Sequence, residues 1–172
     1  MIREVVPPDT GSVFRAMQAL RASLEGEDSF VRVVDEVQRP EGYRLVGVFE
    51  GEGSEAVAVA GFRAGHNLAW GHYLYVDDLS TLPEARRRGH GRALLAWLVE
   101  EGRRLGCDQL HLDSGVGLER ADAHRLYLNA GLVIASHHFA RYVTAALQPR
   151  EAFRRAGSDD VDSRAGWTSS SS

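Results

Sequence analysis

A chain of 172 residues, 44% hydrophobic and 26% charged, is long enough for one globular core and too short for two full domains. Its net charge of −4 supplies no basic field for nucleic acid or an anionic membrane, and its single cysteine, Cys107, excludes a disulfide framework and the multi-cysteine zinc patterns. All 20 side chains in the Lys+Arg count are arginine, which excludes a P-loop, a pyridoxal Schiff base and a protein kinase, since each needs a lysine.

Residues 2–6 read as a short first strand. Glu4, Asp9 and two prolines interrupt the apolar residues of this region, so neither a signal peptide nor a membrane span is expected, and the expected location is the cytoplasm. Asp9 and Thr10 offer an N-cap for a helix over 12–24, where Val13, Met17, Leu20 and Leu24 recur at helical spacing. Asp28 and Ser29 offer a second cap for a helix over 30–38, with Phe30, Val33, Val34 and Val37 on one side and Pro40 after it.

Residues 43–50 and 56–63 are strand-like and joined by a turn at 51–54, which predicts a hairpin. A further turn is expected at Gly65-His66-Asn67, followed by a long strand over 68–79. Residues 92–105 predict an amphipathic helix with Ala93, Leu94, Trp97, Leu98 and Leu105 inward, Arg92, Glu100, Glu101, Arg103 and Arg104 outward, and Gly106 as its stop. The next strand, 109–113, carries Leu110 and Leu112 on one face; a strand, helix, strand unit of this length implies parallel neighbours. A flexible loop over 114–117 leads to a short helix over 119–128 that stops at Asn129-Ala130-Gly131, and 132–143 reads as one or two strands closing the sheet. The domain is placed at 1–146. Beyond it, 147–172 is little but polar residues ending in serines and is expected to be a flexible tail.

The junction Arg86-Arg87-Arg88-Gly89-His90-Gly91 carries the functional signal. It joins an apolar strand to a helix start, where free amides point outward with the positive end of the helix dipole behind them. Gly89 and Gly91 let the backbone approach a ligand closely, and Arg86, Arg87, Arg88 and Arg92 surround the spot with positive charge. A pyrophosphate-sized polyanion suits it.

The spacing Arg86-x-x-Gly89-x-Gly91 after a strand, preceded by Pro83-Glu84-Ala85, resembles the acyl-coenzyme-A-binding signature of the GNAT superfamily of N-acetyltransferases. The order of elements from 74 to 143 resembles that family's cofactor-binding half. The resemblance implies a mixed α/β (α+β) single domain, with a central, mostly antiparallel sheet containing a splayed parallel strand pair and flanked by helices. It also implies transfer of an acetyl group from acetyl-coenzyme A to a primary amine of a small molecule or peptide, by direct attack without an acyl-enzyme.

On that resemblance the phosphates fall to Arg86, Arg87, Arg88, Gly89, His90, Gly91 and Arg92, and the pantetheine amides to Leu79, Ser80 and Thr81. Arg103 and Arg104 are more distant candidates for a 3′-phosphate, or simply solvated. Tyr127 occupies the position of the family's acid for the departing thiolate, and Asp77 or Asp78 that of a base. One carboxylate should face the cleft, because neighbours on a strand point to opposite sides unless a bulge intervenes; the alternative is that both cap a bulge or bind arginine. Tyr75, His72, His111, His124 and His138 are weaker bases, and His137-His138 lacks metal-site spacing. Arg120 stands where the family often has an asparagine.

Two other classes stay open. One is an acyl-coenzyme-A-binding regulatory module of the same fold without turnover. The other is a dinucleotide-binding protein, for which Asp113 imitates a ribose-binding acid, but Leu94 replaces the third glycine and Ser80 to Ala85 separates loop from strand. No metal is expected. The acceptor is not readable, although Glu25, Glu27, Asp28 and Asp35 would attract a cationic amine. A homodimer through the sheet edge is a further expectation.

Overall fold

The computed structural model describes residues 1–51, 53–141 and 143, and the tail expected at 147–172 lies outside them. Five strands form one sheet in chain order: β1 (Ile2–Val5), β2 (Arg44–Val48), β3 (Ala58–Asn67), β4 (Gly71–Thr81) and β5 (Gln109–Leu112). The first four are antiparallel neighbours; β4 and β5 are parallel, as the intervening helix requires.

Both faces of the sheet are covered, so central strands bury residues in succession rather than in alternation. One layer packs Val13, Ala16, Met17, Phe30 and Val34 on Leu45, Val59 and Leu82. These come from a 3₁₀ turn (Asp9–Val13), helix α1 (Phe14–Gln18) and helix α2 (Glu27–Arg32), which continues as a π-helical stretch (Val33–Gln38). The other layer packs Leu94 and Leu98 of α3 (His90–Leu105) on Val46, Ala60, Phe62, Leu74 and Val76. Each buried Val, Leu, Met or Phe among them contributes roughly 1.5–3 kcal/mol by leaving water. Helix α4 (Ala121–Asn129), after a 3₁₀ turn (Leu118–Arg120), completes the order. Among the described residues no helix is long and apolar enough to cross a membrane.

Several local expectations are corrected. The helix expected over 12–24 ends at Gln18, whose side chain donates to the Leu24 carbonyl across the loop that follows. The turn expected at 65–67 lies at 68–70 instead: β3 runs on, His66 pairing with His72, and the Asn67 side chain accepts the Ala69 and Trp70 amides to close the corner. Ladder pairing thus overrides the turn preference of Gly65. Glu101 is buried rather than outward, held by Arg44 and Arg104. The strands expected over 132–143 are absent from the described part of that segment, where Val133, Ile134 and Phe139 are exposed. The segment leaves α4 with the Leu132 amide spent on the Tyr127 carbonyl, so it departs as a helix cap.

Candidate active site

A 3₁₀ turn (Pro83–Ala85) ends β4's exit, Arg86 is extended, Arg87 takes a left-handed φ of 61°, and Gly89 takes φ 86° just before α3 begins. The sequence predicts the helix two residues later, at Arg92. The left-handed turn at Gly89 is the reason for the earlier start: glycine reverses the chain there at no steric cost, and His90 already bonds helically. No side chain caps α3, so its first amides face outward unpaired by any described side chain. Gly91 is held close to two other elements, because a Cβ there would lie 3.1 Å from Leu126 of α4 and 3.9 Å from the Thr81 hydroxyl. The glycine loop, the end of β4 and α4 therefore converge on one spot.

Charge at the loop is divided. Arg88 donates to both Glu50 oxygens, at 2.9 and 3.0 Å, and His90 Nε2 lies 3.0 Å from the same carboxylate. Arg88 and then His90 hold the Glu50 carboxyl below the usual carboxylate range. Arg86, Arg87 and Arg92 are exposed and make no ion pair among the described residues. The loop thus offers uncapped amides, a close glycine approach and uncommitted cations, which is what a pyrophosphate requires.

The cleft itself comes from the sheet. β4 pairs with β5 only from Tyr73 to Val76, against Gln109 to Leu112, yet β4 continues to Thr81. Past that point the two parallel strands part, and the edge carrying Leu79, Ser80 and Thr81 has no strand partner on that side among the described residues. Of those residues Thr81 lies beside the glycine loop, its hydroxyl 3.9 Å from where a Cβ at Gly91 would stand.

A bulge decides where the two aspartates point. Gly61 pairs with Asp78 and Phe62 with Val76, so Asp77 is an extra residue in β4. The alternation is reset there. Leu74 and Val76 face α3 with Leu79, whereas Asp77 and Asp78 both turn to the face under α1. There Asp78 accepts Arg21 Nε at 2.8 Å and the Tyr43 hydroxyl at 2.6 Å, and Asp77 accepts Arg63 Nε at 2.9 Å. Gly61 leaves the room for this: any Cβ would collide with the Tyr43 hydroxyl. Burial first, opposed by Arg63, raises the Asp77 pKa; burial and then Asp78 push the Tyr43 phenol up. Both carboxylates expected to serve as a base are therefore bound to arginine. Tyr43, Arg21 and Arg63 escaped sequence reading, since nothing local links positions so far apart.

Tyr127 is 8% exposed on α4, one residue after the Leu126 that touches Gly91's position. Burial raises its pKa and the nearby Arg120 charge opposes the rise, so the phenol keeps its proton. Arg120 itself reaches Ser114 at 3.3 Å. Of the weaker bases, His72 meets the Gly106 carbonyl, His111 stacks on Trp70, and His124 meets the Gly115 carbonyl. Tyr75 donates to Asp113 at 2.5 Å, and His138 Nδ1 lies 2.9 Å from the same Asp113 oxygen. No group of three metal-ligating side chains converges among the described residues. Cys107 lies past the far end of α3, about 24 Å of helix from the glycine loop, and burial raises its thiol pKa.

Comparison with known proteins shows the family and the fold. Residues 13–132 match the model of the acetyltransferase (GNAT) family. An uncharacterised N-acetyltransferase of Bacillus subtilis is 33% identical over 128 residues, covering 74% of this chain and 87% of that protein. Among solved structures, a transcriptional regulator from Bacillus halodurans superposes with TM-score 0.70 at 21% identity, covering 83% of this chain and 98% of that one. An aminoglycoside N-acetyltransferase in complex with coenzyme A superposes with TM-score 0.68 at 16% identity, covering 84% and 95%.

Proposed function

This chain belongs to the acetyltransferase (GNAT) family, whose donor is acetyl-coenzyme A, and from that membership we propose that it transfers the acetyl group to a primary amine of a small molecule or peptide by direct attack. The observation that carries the proposal is the gap opened where β4 and β5 part, with the uncapped start of α3 at one end and Tyr127 on the helix packed against it.

The residues suit the donor. Amides from Arg87 to Arg92 hold the pyrophosphate, with Arg86, Arg87 and Arg92 supplying charge, and the free edge from Leu79 to Thr81 aligns the pantetheine amides. When bound, the donor supplies an activated thioester carbonyl. Tyr127 gives its proton to the departing sulfur; a buried phenol that stays protonated is suited to that step. Arg63 and Arg21 fix Asp77 and Asp78 as a rigid charged wall on the opposite face, against which the acceptor is positioned. Cys107 is too far from the loop to carry the acetyl group, which supports direct attack over an acyl-enzyme.

A second reading, binding of acyl-coenzyme A without turnover, is favoured by one observation: both cleft carboxylates are already neutralised by arginine. The two separate experimentally. Thermal unfolding with acetyl-coenzyme A, coenzyme A and NADH should show stabilisation by the first two alone, by about 2.7 kcal/mol at a hundred times the dissociation constant. Stabilisation by NADH alone rejects both readings. Release of free thiol with a panel of primary amines then distinguishes an enzyme, whose rate responds to Tyr127→Phe, from a sensor that releases none.

A further inference from the structure

Asp77 and Asp78 are both paired with arginine, which makes either carboxylate a weaker acceptor for the proton that the attacking amine must lose. The most telling arrangement outside that pair joins the segment after α4 to the point where the parallel strands part. Asp113 stands one residue past the end of β5. Its Oδ2 accepts the Tyr75 hydroxyl at 2.5 Å and meets His138 Nδ1 at 2.9 Å. Tyr75 lies on β4 one residue before the last β4–β5 pair, on the face that Asp77 shares two residues later. The imidazole thus lies beside the end of β5, next to the point where β4 and β5 stop pairing, on a segment that forms no strand among the described residues.

We propose that His138, oriented by Asp113 and Tyr75, is the general base that receives the proton from the acceptor amine. This rests on the acetyltransferase reading above. With a carboxylate 2.9 Å from Nδ1, the tautomer protonated at that nitrogen is the favoured one and leaves the Nε2 lone pair outward; among the described residues none hydrogen-bonds Nε2. The Tyr75 hydroxyl holds the carboxylate in turn, so the set has the nested order of base, orienting acid and anchor. An amine bound as its free base forms the nitrogen–carbon bond as the carbon–sulfur bond breaks. Nitrogen sheds one proton to His138 Nε2, sulfur takes one from Tyr127, and the imidazolium and phenolate return to rest by exchange through water. Asp113 stabilises the imidazolium while it lasts. His72, His111 and His124 lack this backing, because carbonyls or an aromatic ring occupy them.

Bromoacetyl-coenzyme A tests the assignment without an identified acceptor. It carries an electrophilic carbon beside the thioester carbonyl, and a nearby imidazole nitrogen bonds to that carbon as bromide leaves. Peptide mass spectrometry should find the adduct on His138, suppressed by excess coenzyme A. His138→Gln should lose the adduct while keeping the thermal shift with coenzyme A, and Asp113→Asn should slow labelling at least several-fold. Labelling of Tyr127, Cys107 or an aspartate instead, or none while coenzyme A still stabilises the protein, overturns the proposal. Loss of the coenzyme A shift in the wild-type protein overturns the acetyltransferase reading beneath it as well.

Discussion

The two walls of the gap are built on opposite principles. The wall proposed for the donor, from β4 through the glycine loop into α3, has main-chain amides, a left-handed glycine and arginines within a few residues of one another. The wall proposed for the acceptor has side chains drawn together from distant positions: Arg21 and Tyr43 reach Asp78 across 57 and 35 residues. A main-chain site tolerates loss of any one side chain, because the peptide groups remain. A wall of interlocked side chains does not, since removing one member strands its partners in a buried place.

That contrast predicts where damage is greatest. Asp78→Ala leaves the buried Tyr43 hydroxyl without an acceptor and returns the half-exposed Arg21 to water, and should cost about 2 kcal/mol in urea unfolding. Coenzyme A affinity of the folded fraction should stay within about twofold; a stability loss under 1 kcal/mol would refute the interlocked wall. Next comes Tyr127→Phe, which removes a proton donor and with it the hydrogen bond to Arg120. Its turnover should fall about thirtyfold with coenzyme A affinity unchanged, measured by thiol release against calorimetric titration.

Glu101 offers a pH test on the far side of the sheet. Arg104 and then Arg44 hold its carboxyl at about 2, below its ordinary 4.5. A carboxyl depressed on folding stabilises the protein fully above its unfolded value, and this contribution disappears as pH falls from about 4.5 through about 2. Glu101→Gln should therefore cost on the order of 2 kcal/mol at neutral pH and much less near pH 2, checked by unfolding across that range. The smallest effect belongs to the donor loop: Arg86→Ala and Arg87→Ala should each weaken coenzyme A binding roughly fivefold, more at low salt, with stability unchanged within about 0.5 kcal/mol. A hundredfold loss from either would show that side-chain charge, rather than the amides, holds the pyrophosphate.

The chain's local chemistry determined the donor side. A helix start is written where two glycines follow a strand exit, and parallel pairing of β4 with β5 follows from the helix between them; both depend on neighbours in sequence. The resemblance built on those residues led to the same family and sheet. Tertiary structure decided the rest. Whether Asp77 and Asp78 point together or apart depends on one extra residue in β4, which only the pairing with β3 reveals. Where β3 turns depends on cross-strand bonds that outweigh Gly65's preference, and whether Glu101 of α3 is solvated depends on Arg44 from β2. The pairing of His138 with Asp113 needs α4 to bring the chain back to the end of β5. Short-range preferences fix what each segment favours, whereas the orientation and partners of a buried charge are set by contacts whose members the linear order does not bring together.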